Sequence, residues 1–147
     1  MPTSAAPLPG SPGEVGNRFV ARLVDGLALA LVFVPLLATG VLPAEGTGAA
    51  LVVGLSGFVY AAVLDATGGT LGKRLLRMTV VDRHGTPPGL GAGATRNLWL
   101  LTSLLPGVIG QSVAVAVSVV IAITIAQHPI DLGWHDRAAG TAVRRLA

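Results

Sequence analysis

The amino-acid sequence predicts an all-α membrane protein: a small bundle of three to four membrane segments with a short polar hairpin on the cytoplasmic side. Three observations predict it. Only 10 Lys+Arg and 7 Asp+Glu occur in 147 residues, 12 % charged, with 52 % hydrophobic and a mean hydropathy of +0.72. A soluble domain carries roughly twice that share of charge. The charge is also absent in blocks: 19 residues between Asp25 and Glu45, 19 between Glu45 and Asp65, and 34 between Arg96 and Asp131. A helix needs about 20 mostly apolar residues to cross a hydrocarbon core of roughly 30 Å. Two blocks fit one crossing each, and the third is too long for one.

The segment before the first block, residues 1–16, is rich in Pro, Gly, Ser and Ala and reads as a disordered tail. It lacks the basic start and short apolar core of a secretory signal. The membrane domain then fills residues 17–147. Its first helix is expected at about 17–42, with Pro35 inside it, and its second at about 48–64. The polar segment 65–93 holds Lys73, Arg74, Arg77 and Arg83, with Arg96 just beyond. Within it, Met78–Asp82 is β-branched and Arg83–Gly89 is turn-rich, so a short strand or hairpin at the membrane surface is expected. Pro106-Gly107 divides the third apolar block into arms of about 94–105 and 109–127. An interfacial tail, 128–147, closes the chain.

Basic residues set topology. Two flank the N-terminal end, none lie in the first loop, five belong to the second polar segment and three to the tail. This predicts a multi-pass protein of a bacterial cytoplasmic membrane with the N-terminus inside. A hairpin of the two arms returns the C-terminus inside as well. The lipid bilayer is the first partner. Lys73, Arg74 and Arg77 are expected to face lipid and attract anionic headgroups.

Composition also excludes classes. With no cysteine there is no disulfide framework or thiolate site. The pI of 10.6 accompanies a net charge of only +3 and 4 % aromatic residues, which does not supply the basic, ring-lined groove that nucleic acid requires. No Ser-His-Asp or paired-carboxylate arrangement occurs, so no enzyme is expected and no cofactor is implied. His128, Asp131, His135 and Asp136 are metal-ligand types, but Pro129 and Gly133 keep them off one helical face and no metal site is expected. Gly68–Arg74 imitates a phosphate loop, yet it lacks the first Gly and the closing Ser or Thr.

The residues with most to say are Arg18, Arg22 and Asp25, spaced four and three apart on one helical face. Ionisable groups in membrane helices are costly and face a bundle interior or a wet cavity. Arg22 and Asp25 are expected to pair, as a proton or cation site or as a lock between helices, and Asp136 is expected to meet Arg18 or Arg22. Gly110, Ala114, Ser118, Ala122 and Ala126 recur every four residues and predict a close-packing face, within the bundle or between protomers.

Four motifs in order resemble the RDD family of small bacterial membrane proteins: Arg18–Asp25, Gly69–Asp82, Arg96–Leu98 and His135–Val143. Leu71 departs from the family's usual Pro, and His128–Asp131 stands where relatives tend to be basic. The resemblance implies a compact multi-helix membrane domain with Arg22, Asp25 and Asp136 as signature residues, and a role in transport. Two functions are therefore weighed: a transport-related protein moving protons or cations through the Arg/Asp pair as an oligomer or with a partner subunit, and a non-transporting accessory or scaffold protein whose charges are structural.

Overall fold

The computed structural model describes residues 10–43, 46–105 and 107–146. Most of the expected tail, Glu45 and Pro106 lie outside the described residues.

Among the described residues, three helices are long and apolar enough to cross a membrane. The first, α1 (Val15–Ala38), has 24 residues, or about 36 Å at 1.5 Å per residue. It carries Pro35 but stops four residues before the expected Leu42. Gly40, at φ +74°, turns the chain, and the Leu42 N–H donates back to the Leu36 carbonyl. A left-handed glycine is the usual way a helix closes its last carbonyls. The second, α2 (Gly46–Ala66), runs two residues past its expected end, which places Asp65 inside its last turn instead of in a loop. Gly68 (φ +108°) and Gly69 (φ +139°) then reverse the chain, and the Gly69 N–H caps the Leu64 carbonyl.

The polar segment folds differently from a local hairpin. A five-residue helix, α3 (Leu71–Leu75), leads into β2 (Met78–Asp82). The partner of β2 is not the next segment but β3 (Thr141–Arg145), antiparallel, with Val80 opposite Val143. On its other side β3 pairs with β1 (Ser11–Pro12). The order β1-β3-β2 brings the two ends of the membrane domain into one sheet. Met78, Val80 and Val143 bury against Ala21 of α1 and form a small core where the sheet meets the helices. The turn after β2 is made by Asp82, whose carboxylate accepts the His84 and Thr86 N–H groups.

The shorter arm is α4 (Gly89–Asn97) followed by a 3-10 segment (Leu98–Leu104). It begins five residues earlier than expected. Thr102 and Ser103 hydroxyls donate to carbonyls three residues back, which suits the tighter turn. The arm lies antiparallel along α2: Gly93 sits against Ala62 and Ala66, and Ser103 and Leu104 sit against Gly54. The third long helix, α5 (Gly107–Ala126), starts against the arm, with Gly110 on the Leu105 carbonyl. It ends beside α6 (Trp134–Ala138), where the Trp134 N–H reaches the Thr124 hydroxyl. Since α6 runs directly into β3, the two arms form a hairpin that returns the chain to the end where it began. The start of α1, the end of α2, the last turn of α4 and the end of α5 all meet there.

Candidate functional site: a buried charge cluster

That shared end is where the charges are. Arg18, on the first turn of α1, donates through Nε to the Gly13 carbonyl at 2.6 Å and through Nη1 to the Asp136 carboxylate, while Nη2 reaches the Asp131 carbonyl. The expected meeting of α1 with Asp136 is therefore made by Arg18. Asp136 is fully buried, and its Oδ2 also accepts the Gly133 N–H at 3.1 Å at the start of α6.

Arg96 joins the two halves of the cluster. Its Nη1 lies 2.9 Å from Asp136 Oδ1 and donates to the Thr141 hydroxyl at 3.0 Å, and its Nε lies 2.9 Å from Asp65 Oδ2. Asp65, also fully buried, receives Lys73 Nζ on Oδ1 and Asn97 Nδ2 on Oδ2 at 3.0 Å. One chain of charges, Arg18–Asp136–Arg96–Asp65–Lys73, thus ties α1, α6, α4, α2 and α3 together.

Asp25, two turns into α1, is held apart from that chain. Its Oδ1 accepts Tyr60 Oη at 2.8 Å and the Gly72 N–H at 2.8 Å. Position 72 must be glycine: a Cβ there would lie 2.0 Å from the Ala21 carbonyl, so α3 docks directly on the α1 backbone. These donors displace the expected partner. Arg22 forms no ion pair among the described residues; its guanidinium instead lies 5.0 Å from the Trp99 ring centroid, a cation–π contact with the shorter arm.

The other basic expectations divide. Lys73 does not face lipid: it is buried at 9 % exposure, and burial pushes its ammonium down to about 8, with Asp65 opposing that shift. The Asp65 partner, eight residues back across the Gly68-Gly69 reversal, is what draws it inward. Arg74 is exposed but folded onto the Gly69 carbonyl and the Thr67 hydroxyl, and Arg77 is exposed at φ +53°. His135 is buried, and that burial holds its imidazole down at about 4, with Arg96, Arg18 and Lys73 adding and Asp136 opposing. Burial would raise the Asp136 carboxyl, yet Arg96, His135 and Arg18 outweigh it and hold the group at about 2. No group of three metal-ligating residues comes together among the described residues.

A cavity of about 230 Å³ opens between α1 and α5. Arg18, Arg22, Asp25, Lys73 and Arg96 line it, together with Phe19 of α1 and Ile121, Ala122 and Ile125 of α5. The small stripe meets this region unevenly. Gly110 is buried against the arm and Ala114 is half-buried, whereas Ser118 and Ala122 line the cavity and Ala126 is exposed.

A sequence model of the RDD family matches residues 12–140. The chain belongs to the RDD family. The matched span contains every member of the charge cluster, so in this RDD protein the family sequence and the buried network coincide. No curated protein and no solved structure matches the chain.

Sequence reasoning missed Asp65, Tyr60 and Asn97 as members of the RDD site, and used Asp65 only to end a helix. One signal was available. An aspartate closes an apolar block eight residues before a lysine and 31 before an arginine.

Proposed function

We propose that this RDD protein is a non-transporting membrane accessory protein whose intramembrane charges hold its helices and its sheet in one arrangement. The observation that carries the reading is the fixed set of donors on each carboxylate. Asp25 is held by Tyr60 and Gly72, Asp65 by Lys73, Arg96 and Asn97, and Asp136 by Arg18, Arg96 and Gly133. A carboxylate that shuttles a proton or a cation has to exchange partners, and each of these sits among several donors from other segments. No catalysis is part of the reading. A second copy or a membrane partner is left the part of the α5 stripe outside the cavity, at Ala126. The basic residues gather at the sheet end, which supports placing that end on the cytoplasmic side of a bacterial membrane; a C-terminal reporter active only in the cytoplasm is the expected result.

A transport role keeps one supporting observation: Asp25 lines the cavity, and its Oδ2 accepts no hydrogen bond among the described residues. Ion flux in proteoliposomes separates the two. Under the accessory reading, parent and Asp25→Asn vesicles leak protons and monovalent cations no faster than empty ones. Flux by the parent that Asp25→Asn abolishes, with the helical signal and unfolding temperature unchanged, overturns it.

A further inference from the structure

Arg22 is the one guanidinium of the cluster with no carboxylate at ion-pair distance among the described residues; Asp65 and Asp25 act on it only from farther away. A cation among membrane helices with no anion in contact is costly, and a cation–π contact offsets only part of that. Three features around it describe what would complete it. Arg22, Lys73 and Arg96 line the same cavity, with Asp25 the one acid facing it. Apart from Ser118, the lining that α5 contributes is apolar, from Ile121, Ala122 and Ile125. The Nδ1 atom of His135, another lining residue, is buried with no hydrogen-bond partner among the described residues.

The geometry points to this cavity as a binding site for the phosphate head of an anionic phospholipid, with Arg22 as its principal contact. The volume fits a head and not a whole lipid: about 230 Å³ is below the roughly 300–1,000 Å³ of sites for drug-sized ligands. The acyl chains stay outside, along the apolar outer faces of α1 and α5, where Phe19, Leu23, Val119 and Ile123 are exposed. The depth is also suitable. Arg22 lies near one end of a helix of membrane-spanning length whose start is anchored to the sheet, and the ends of such a helix are where headgroups meet the hydrocarbon. The guanidinium fork matches phosphate oxygens in a way an ammonium does not. The site requires neither ion movement nor its absence, so it stands or falls apart from the accessory reading.

Trp99 makes the site observable. In the full chain carrying Trp134→Phe, Trp99 is the remaining tryptophan. Solubilised protein is titrated with dihexanoyl phosphatidylglycerol, dihexanoyl phosphatidylcholine and inorganic phosphate at matched ionic strength. Expected are a saturable change in Trp99 emission with phosphatidylglycerol, none with phosphatidylcholine, and binding at least tenfold weaker with phosphate alone. Arg22→Gln weakens phosphatidylglycerol at least tenfold and Arg22→Lys less. Ala122→Phe fills the cavity from its α5 lining, leaves every charge in place and also blocks binding, which keeps the test decisive if Arg22→Gln fails to fold. Equal responses to the two lipids, or Ala122→Phe binding like the parent, overturn the site. Phosphate binding as tightly as phosphatidylglycerol overturns the lipid as its source.

Discussion

The two long seams of this molecule are built on opposite plans. Where α4 and the 3-10 segment lie along α2, glycines set the approach: a Cβ on Gly93 would stand 2.3 Å from the Ala62 carbonyl, and one on Gly54 would stand 2.5 Å from the Leu104 side chain. Where α1 faces α5, the helices enclose a cavity with charges in its lining. In lipid there is no hydrophobic expulsion to draw helices together, so close van der Waals approach has to supply the association. The first seam does this. The second forgoes it, and α1 is instead held at its base by Arg18–Asp136, by Asp25–Gly72 and by the sheet. Stability is concentrated in the glycine seam and the charge cluster beneath it, and access is concentrated in the other.

The largest expected effect comes from breaking the cluster below the tight seam. Asp65→Ala leaves Lys73 and Arg96 buried without their shared carboxylate, and an uncompensated buried charge costs about 3–5 kcal/mol. The folded fraction recovered in detergent should collapse, and adding Lys73→Met should recover part of it. A loss below about 1 kcal/mol in chemical unfolding would show that the cluster is wet and not structural.

A smaller effect tests the seams against each other. Gly93→Ala forces its methyl onto the Ala62 carbonyl, and overpacking of this kind costs about 1–3 kcal/mol. Gly26→Ala on α1 meets no atom within 4 Å and should be neutral or stabilising, since Ala exceeds Gly in helix propensity by about 1 kcal/mol. Thermal unfolding of the two variants side by side checks this; equal destabilisation would mean that α1 is as tightly packed as α2.

This contrast was only half legible in the sequence. The charge-free blocks located the three long helices found among the described residues, because membrane crossing imposes a length that composition reveals, and the third block divides near Gly107, where the sequence placed a break. Helix ends were less accessible: Gly40 stops α1 through a left-handed turn that the apolar pattern around it does not mark. The pairing of β2 with β3 joins segments about 60 residues apart, and Thr141–Arg145 carries no alternation to advertise a strand. Spacing along one helix predicted that Arg22 would pair with Asp25. The actual donors, Tyr60 and Gly72, arrive from α2 and α3 and are 35 and 47 residues distant. Lys73 looked lipid-facing because its neighbours are basic, and only the reversal at Gly68-Gly69 turns it toward Asp65.

The smallest of the three effects concerns pH. His135 sits under the open seam, neutral, with its imidazole held near 4 by burial, against about 6.5 when exposed. Between those values the unfolded chain binds more protons than the folded one, so stability rises with pH across the window. The contribution is complete above about pH 7, is lost progressively as pH falls from 6.5 toward 4, and amounts to about 1 kcal/mol over the first unit below 6.5. Asp136 titrates in a lower window, from its ordinary range down to about 2, so the two do not overlap in the pH 5–7 range. His135→Gln removes the titrating group and should flatten the unfolding midpoint between pH 7 and 5, whatever it does to the absolute stability. A slope in that variant as steep as the parent's would place the titrating group elsewhere.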